Sequence, residues 1–149
     1  MTNRPKGFAG RHNIDAGALF RNNYAAIFGV NGSNRMGKHK RKKIAYVAGP
    51  YSGKTASEIH WNIQRARTIA EALWKHGYAV ICPHMNSDFM DGVVPYSDFM
   101  DGYLEILRYA DLVVVTDNYQ DSPGALEEIA LAEQWDIPVL SRSEALGSD

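Results

Sequence analysis

From Lys43 onward, short apolar runs alternate with stretches of helical periodicity, and that alternation leaves few folds open to the chain. Residues 44–49, IAYVAG, form an apolar run of strand length. Thr55 then offers an N-cap, and Glu58 three residues later supplies the other half of a capping box. Ile59, Ile63, Ala66, Ala70 and Leu73 follow at helical spacing, and Gly77 suits a helix C-terminus. Residues 78–82 read as a second strand stopped by Pro83, and residues 112–115, LVVV, as a β-branched third. A helix from Ser122 to about Gln134 and a last strand over 137–140 complete the series. The order β-α-β-α-β-α-β predicts an α/β, Rossmann-like (flavodoxin-like) three-layer fold. Its parallel sheet of four to five strands would be covered by helices on both faces. Ligands of such sheets bind at the carboxyl ends of the strands. Three loops should meet there: GPYSGKT, PHMNSDFMDG and TDNYQDSPG.

The remaining segments are less regular. The hexapeptide SDFMDG occurs at residues 87–92 and again at 97–102. Two copies do not make a repeat architecture. The first copy reads as loop, and the second as the entry to a helix running to about Tyr109. Residues 1–43 carry ten Lys/Arg and one acid, whereas residues 44–149 carry six Lys/Arg and sixteen acids. A basic arm (1–42, running into KHKRKK at 38–43) therefore precedes an acidic domain (43–149). The arm reads as a solvated leader, or as a contact to nucleic acid or to the acidic body of a neighbouring subunit. Its GALFRNNYAAIFGV stretch could form a short helix or strand. The length of 149 residues suits one domain of ordinary size. Cys82 is the single cysteine, so no internal disulfide forms, and no metal-type Cys/His spacing exists. A reducing cytoplasm is the expected compartment. No apolar run is long enough to span a membrane, and no signal-peptide core is present.

AGPYSGKT at residues 48–55 fits a loose phosphate-loop pattern, with Lys54 and Thr55 in the phosphate and magnesium positions. Two features oppose that reading. A phosphate loop curls consecutive N–H groups around the anion and favours glycine there. Here Tyr51 stands two before Gly53, and Pro50 lacks the donor. The domain is also short for a phosphate-loop fold. A phosphotransferase nonetheless stays open as an alternative, as does a non-catalytic nucleotide-binding protein that adds a basic arm.

Read together, YVAGPYSG, RYADLVVV and SPGALEEIALA resemble the nucleoside 2-deoxyribosyltransferase superfamily, and in particular its deoxynucleoside 5′-monophosphate N-glycosidase branch. The resemblance runs from about Lys43 to Leu140. It implies an enzyme that cleaves or transfers the N-glycosidic bond of a (2′-deoxy)nucleoside 5′-monophosphate. No metal or organic cofactor is implied. Its small-molecule partner is a nucleotide or nucleoside, and a homo-oligomer (dimer or larger) is expected. The family nucleophile is a glutamate four residues after a turn glycine; Gly124 and Glu128 keep that spacing. The matching S-x-G turn holds the 5′-phosphate, which assigns Ser122 and Gly124 to substrate binding.

The residues themselves fit these roles. A helix that starts at Ser122 and Gly124 presents unpaired N–H groups to an anion. A carboxylate at Glu128 can stabilise or capture an oxocarbenium-like carbon. Glu127 reads as a surface residue. Tyr46, Gly49, Pro50, Tyr51 and Ser52 come from the first turn and are expected at the sugar or phosphate, and His84 at the base. The family acid is an aspartate eight residues before the A-D aspartate; here that position, counted from Asp111, holds Tyr103. Asp101, ahead of Asp98, is the nearby carboxyl expected to take its part. Trp61 and Trp74 are expected to be packing residues.

Overall fold

The computed structural model describes residues 40–147. Most of the basic arm, including GALFRNNYAAIFGV, lies outside the described residues. The compact body begins at Lys42. Strand β1 is Ile44–Ala48, and helix α1 is Ala56–Lys75. Strand β2 (Ala79–Ile81) leads into a one-turn helix α2 (Pro83–Asn86). Helix α3 (Tyr96–Leu107) precedes strand β3 (Leu112–Val115). A 3-10 turn (Tyr119–Asp121) leads to α4 (Pro123–Gln134), β4 (Val139–Leu140) and α5 (Arg142–Leu146).

The sheet is wholly parallel with order β2-β1-β3-β4. The α/β Rossmann-like expectation holds, with four strands. The chain leaves β1 toward one edge and returns at β3 on its other side. The switch point therefore lies between these two strands, and a crevice opens at their carboxyl ends. Asp111 fixes their relative start. Its carboxylate accepts from the Ile44 N–H at 2.7 Å, and its own N–H donates to the Ile44 carbonyl at 2.8 Å.

Alternation along the strands divides the core into two layers. Ala45, Val47, Leu112 and Val114 face α1 and α5 and pack with Ala66, Ile69, Ala70, Leu73 and Ala145. Tyr46, Ala48, Val113 and Val115 face the other way, toward Leu107 of α3 and Ala132 of α4. Thr55 caps α1, its hydroxyl accepting from the Glu58 N–H at 3.1 Å, but the expected capping box does not close, because the Glu58 carboxylate takes the Lys54 N–H in place of the Thr55 N–H. Gly77 follows the helix with φ +98°, a conformation that glycine adopts without strain.

Three local expectations need correction. The second strand is shorter than 78–82 and the last shorter than 137–140, because a parallel ladder pairs only residues that reach β1 or β3. The loop after β2 contains α2, since Pro83 starts a helical turn as readily as it stops a strand. Trp61 and Trp74 are 61% and 53% exposed in this chain rather than packed. Trp61 sits two residues from Ile63, on the far side of α1, and Trp74 lies at the margin of the buried stripe.

Leu73 is fully buried where α1 crosses the sheet. Leu73→Ala is expected to lower stability by about 2–5 kcal/mol in urea unfolding, with little change in m-value.

Candidate active site

The crevice at the switch point is a cleft of about 710 Å³, including the space open to solvent. Every loop after a central strand contributes to it. Gly49 and Tyr51 come from the turn after β1, His84 and Asp91 from the segment after β2, and Ser122, Gly124 and Glu128 from the turn after β3 and from α4. The outer wall is apolar, with Met90, Val94, Phe99 and Met100 among its residues.

Glu128 is the buried carboxyl of this cleft, only 6% exposed. It lies one turn into α4, four residues after Gly124, on the side that faces the sheet. Tyr46 of β1 is fully buried behind it and donates its hydroxyl to Glu128 Oε1 at 2.5 Å. Burial pushes the Glu128 carboxyl up to about 7, against the Tyr46 hydrogen bond, which favours the charged form; the nearby Glu127 charge adds to the rise. The Tyr46 hydroxyl is driven far above its usual range, first by burial and then by the Glu128 charge, so it stays a donor.

Helix α4 starts at Ser122, whose hydroxyl accepts from the Ala125 N–H at 3.1 Å. Pro123 has no N–H, and the Leu126 N–H bonds to the Ser122 carbonyl at 3.0 Å. The Gly124 N–H is thus the amide of the first turn left for an anion. A side chain at Gly124 would meet the Tyr96 hydroxyl at 2.9 Å and Met100 Cε at 3.4 Å, so glycine keeps this end of the cleft open. Gly49 is equally constrained: a Cβ there would run into the Thr116 side chain.

His84 is 4% exposed, and its Nε2 lies 3.0 and 2.9 Å from the carbonyls of Gly49 and Pro50. Two carbonyls around one nitrogen make Nε2 the protonated one. Nδ1 is buried without a partner. Burial lowers the proton affinity of the ring, so it is held neutral. His84 therefore ties the end of β2 to the turn after β1.

The model of the family described as "Domain of unknown function (DUF4406)" matches residues 43–141. The chain belongs to the DUF4406 family. That family is related to nucleoside 2-deoxyribosyltransferase-like proteins. No curated protein matches the chain. The DUF4406 match contains every residue that lines the cleft.

The DUF4406 domain brings Gly49, Tyr51, His84, Ser122, Gly124 and Glu128 together in one cleft, as the sequence reading placed them. Tyr46 does not line it; it lies in the core and reaches the site through Glu128. Pro50 and Ser52 line a neighbouring cleft with Lys54 and Trp61. An extended chain sends alternate residues to opposite sides, so Gly49 and Tyr51 share one cleft while Pro50 and Ser52 share the other. Asp101 is exposed on α3 and does not line the Glu128 cleft, and the same holds for Asp98. Tyr103, at the family acid position, does line it, and its hydroxyl donates to the Pro83 carbonyl at 3.3 Å.

Sequence reasoning missed Asp91, Tyr96 and Tyr103 as cleft residues. The repeated SDFMDG was the available signal. Its first copy supplies Met90, Asp91 and Gly92 to the wall, and its second Phe99 and Met100. Around GKT two of the groups that a phosphate loop uses are engaged in starting α1. The Thr55 hydroxyl caps α1, and the Lys54 N–H donates to the Glu58 carboxylate at 2.5 Å. Among the described residues, no group of three His, Cys, Asp or Glu side chains is placed to hold a metal ion. Among them, too, no helix is long and apolar enough to cross a membrane.

Glu128 ties stability to pH. Its carboxyl ionises at 4.5 when exposed and near 7 in the fold. Between those values the folded chain keeps a proton that the unfolded chain has released. Stability therefore falls as pH rises through that window, by up to about 3 kcal/mol, and levels off above it. Urea midpoints from pH 4.5 to 8 are expected to show this fall in the wild type. Glu128→Gln is expected to remove it.

Proposed function

We propose that the protein cleaves, or transfers, the N-glycosidic bond of a (2′-deoxy)nucleoside 5′-monophosphate, with Glu128 as the nucleophile on the anomeric carbon. One observation carries this reading: a buried carboxyl, oriented by a tyrosine, shares a cleft with the N-terminus of its own helix. The 5′-phosphate is assigned to that N-terminus, where the Gly124 N–H and the Ser122 hydroxyl proton are available as donors. One helical turn then separates the phosphate from the carboxyl that must reach C1′.

The chemistry follows from the environment. Oε1 is held by Tyr46, which leaves Oε2 to meet the sugar. Attack requires the ionised carboxyl, and the Tyr46 hydrogen bond favours that form against burial. Water as acceptor gives hydrolysis, and a second base gives transfer. The apolar wall of Met90, Val94, Phe99 and Met100 offers a seat for the flat faces of a base. A homo-oligomer is part of the same proposal, supported by exposed Ile106 and Tyr109 at the end of α3 and Leu126 on α4. A reducing cytoplasmic setting suits the buried free thiol of Cys82.

The test is chromatography of free base from a panel of nucleoside and deoxynucleoside monophosphates. Glu128→Gln is expected to lower base release at least about a thousandfold while the far-UV spectrum is unchanged. Ser122→Ala is expected to raise KM for the monophosphate about tenfold or more and to change that of the free nucleoside little. Base release at wild-type rate by Glu128→Gln would overturn the nucleophile assignment.

The pH profile supplies a separate check. The rate is expected to rise as Glu128 ionises, through about pH 7. Tyr46→Phe removes the bond that favours the ionised carboxyl, so the rise should move to higher pH. An unmoved profile in Tyr46→Phe would remove Tyr46 from the mechanism.

A further inference from the structure

The bond that breaks in such a reaction leaves a base that needs a proton, and the position where the resemblance expects an aspartate holds Tyr103. The candidates on α3, Asp98 and Asp101, are exposed and do not line the cleft. Among the described residues two carboxyls do line it, Glu128 and Asp91. Asp91 occupies the place in the first SDFMDG copy that Asp101 occupies in the second. The first copy folds as consecutive turns, with Met90 N–H bonded to the Ser87 carbonyl and Val93 N–H to the Met90 carbonyl, both at 3.1 Å. The second copy enters α3. The same hexapeptide thus brings one aspartate, itself exposed, to the lining of the cleft and leaves the other off it.

Asp91 is held in place. The Tyr51 hydroxyl donates to its two carboxylate oxygens at 3.2 and 3.3 Å. Tyr51 lines the cleft beside His84, their ring centroids 6.2 Å apart, and His84 clamps the carbonyls of Gly49 and Pro50. Tyr51 and His84 thus link the turn after β1 to the segment that carries Asp91. Met90 and Val94, from the same loop, flank Asp91 with apolar surface.

We infer that Asp91 is the second carboxyl of the reaction and meets the departing base, with Tyr51 as its positioning residue. This rests on the N-glycosidic reading above. The C1′–N bond breaks with its electron pair going to the base nitrogen. Glu128 forms a bond to C1′, and the Asp91 carboxyl gives its proton to the base. Water then adds to C1′ and releases Glu128, and the water proton returns to Asp91. In transfer, the N–H proton of the incoming base returns instead.

The experiment compares two monophosphate substrates with the same sugar. One carries an ordinary purine, and the other a 7-methylguanine, whose cationic ring departs without a proton. Wild type is expected to release both bases. In the first turnover, Asp91→Asn should release the ordinary purine about a hundredfold or more slowly and 7-methylguanine at close to the wild-type rate, whereas the later hydrolysis step slows for both. Tyr51→Phe should show the same selective loss to a smaller degree. Glu128→Gln should lose both, which separates the two roles. Equal first-turnover losses of Asp91→Asn on both substrates, or no loss on either, would overturn the inference. So would a selective loss in Asp101→Asn in place of Asp91→Asn. If wild type releases no base from any monophosphate, the N-glycosidic reading fails first, and this inference fails with it. Because the activated substrate reports a working site, retained activity there also shows that Asp91→Asn is folded.

Discussion

A buried carboxyl with one tyrosine for company is the constraint around which this cleft is arranged. Taking the Glu128 carboxylate out of water is unfavourable by several kcal/mol unless hydrogen bonds replace the lost solvation. Tyr46 provides one such bond. That pairing fixes a great deal else. Tyr46 must sit mid-strand on the face of β1 that looks toward α4, and α4 must present its fourth residue after Gly124 to the sheet. The small residues Ala125 and Ala132, both buried on the same helix, let α4 approach closely enough for the two side chains to meet. A carboxyl bonded on one oxygen and exposed to a cleft on the other is a poor structural element and a good reagent, because desolvation raises its free energy in the charged form. This is the sense in which local instability belongs to the site.

The turn after β1 separates two neighbouring clefts by backbone parity alone. Gly49 and Tyr51 go to the Glu128 side, and Pro50 and Ser52 to the Lys54 side. The GKT that follows spends its polar groups on starting α1. The Thr55 hydroxyl takes the Glu58 N–H, and the Glu58 carboxylate takes the Lys54 N–H. A carboxylate from within the helix thus meets the amide that a phosphate would need. The motif and the cap of α1 thus share Lys54 and Thr55.

Much of this architecture was legible because it depends on period. The apolar runs and the stripe of Ile63, Ala66, Ala70 and Leu73 report directly on burial, and both landed where expected. So did the meeting of Gly49, His84, Ser122 and Glu128, since each follows a strand closely or lies in the first turns of a helix at the crevice end of a parallel sheet. What failed to show depends on distances that periodicity does not encode. Tyr46 looked like a ligand contact, and only the packing of α4 turns it into a support for Glu128. Trp61 looked like core by its chemistry and is exposed by its angle. The two copies of SDFMDG are identical as strings; Pro95 and the turn ahead of it decide that one becomes loop wall and the other helix.

That divergence within a repeated hexapeptide has a physical consequence for the cleft. A helix holds its side chains at fixed angles, so Asp98 and Asp101 are committed to solvent once Phe99, Met100 and Tyr103 face inward. A loop made of successive turns has no such periodic commitment. Phe89 at φ +61° and Gly92 at φ +80° bend it around Asp91, and a single hydroxyl from Tyr51 is enough to aim the carboxyl. The cleft consequently has one carboxyl set rigidly by a sheet and a long helix, and one set by a loop tethered through Tyr51 to the turn after β1. The first has little freedom to change its distance from the helix N-terminus at Ser122 and Gly124. The second can shift with the size of whatever lies between Met90 and Phe99. On the proposed N-glycosidic reading, a site built this way would hold the sugar-phosphate end of a ligand to a strict geometry while tolerating variation at the other end.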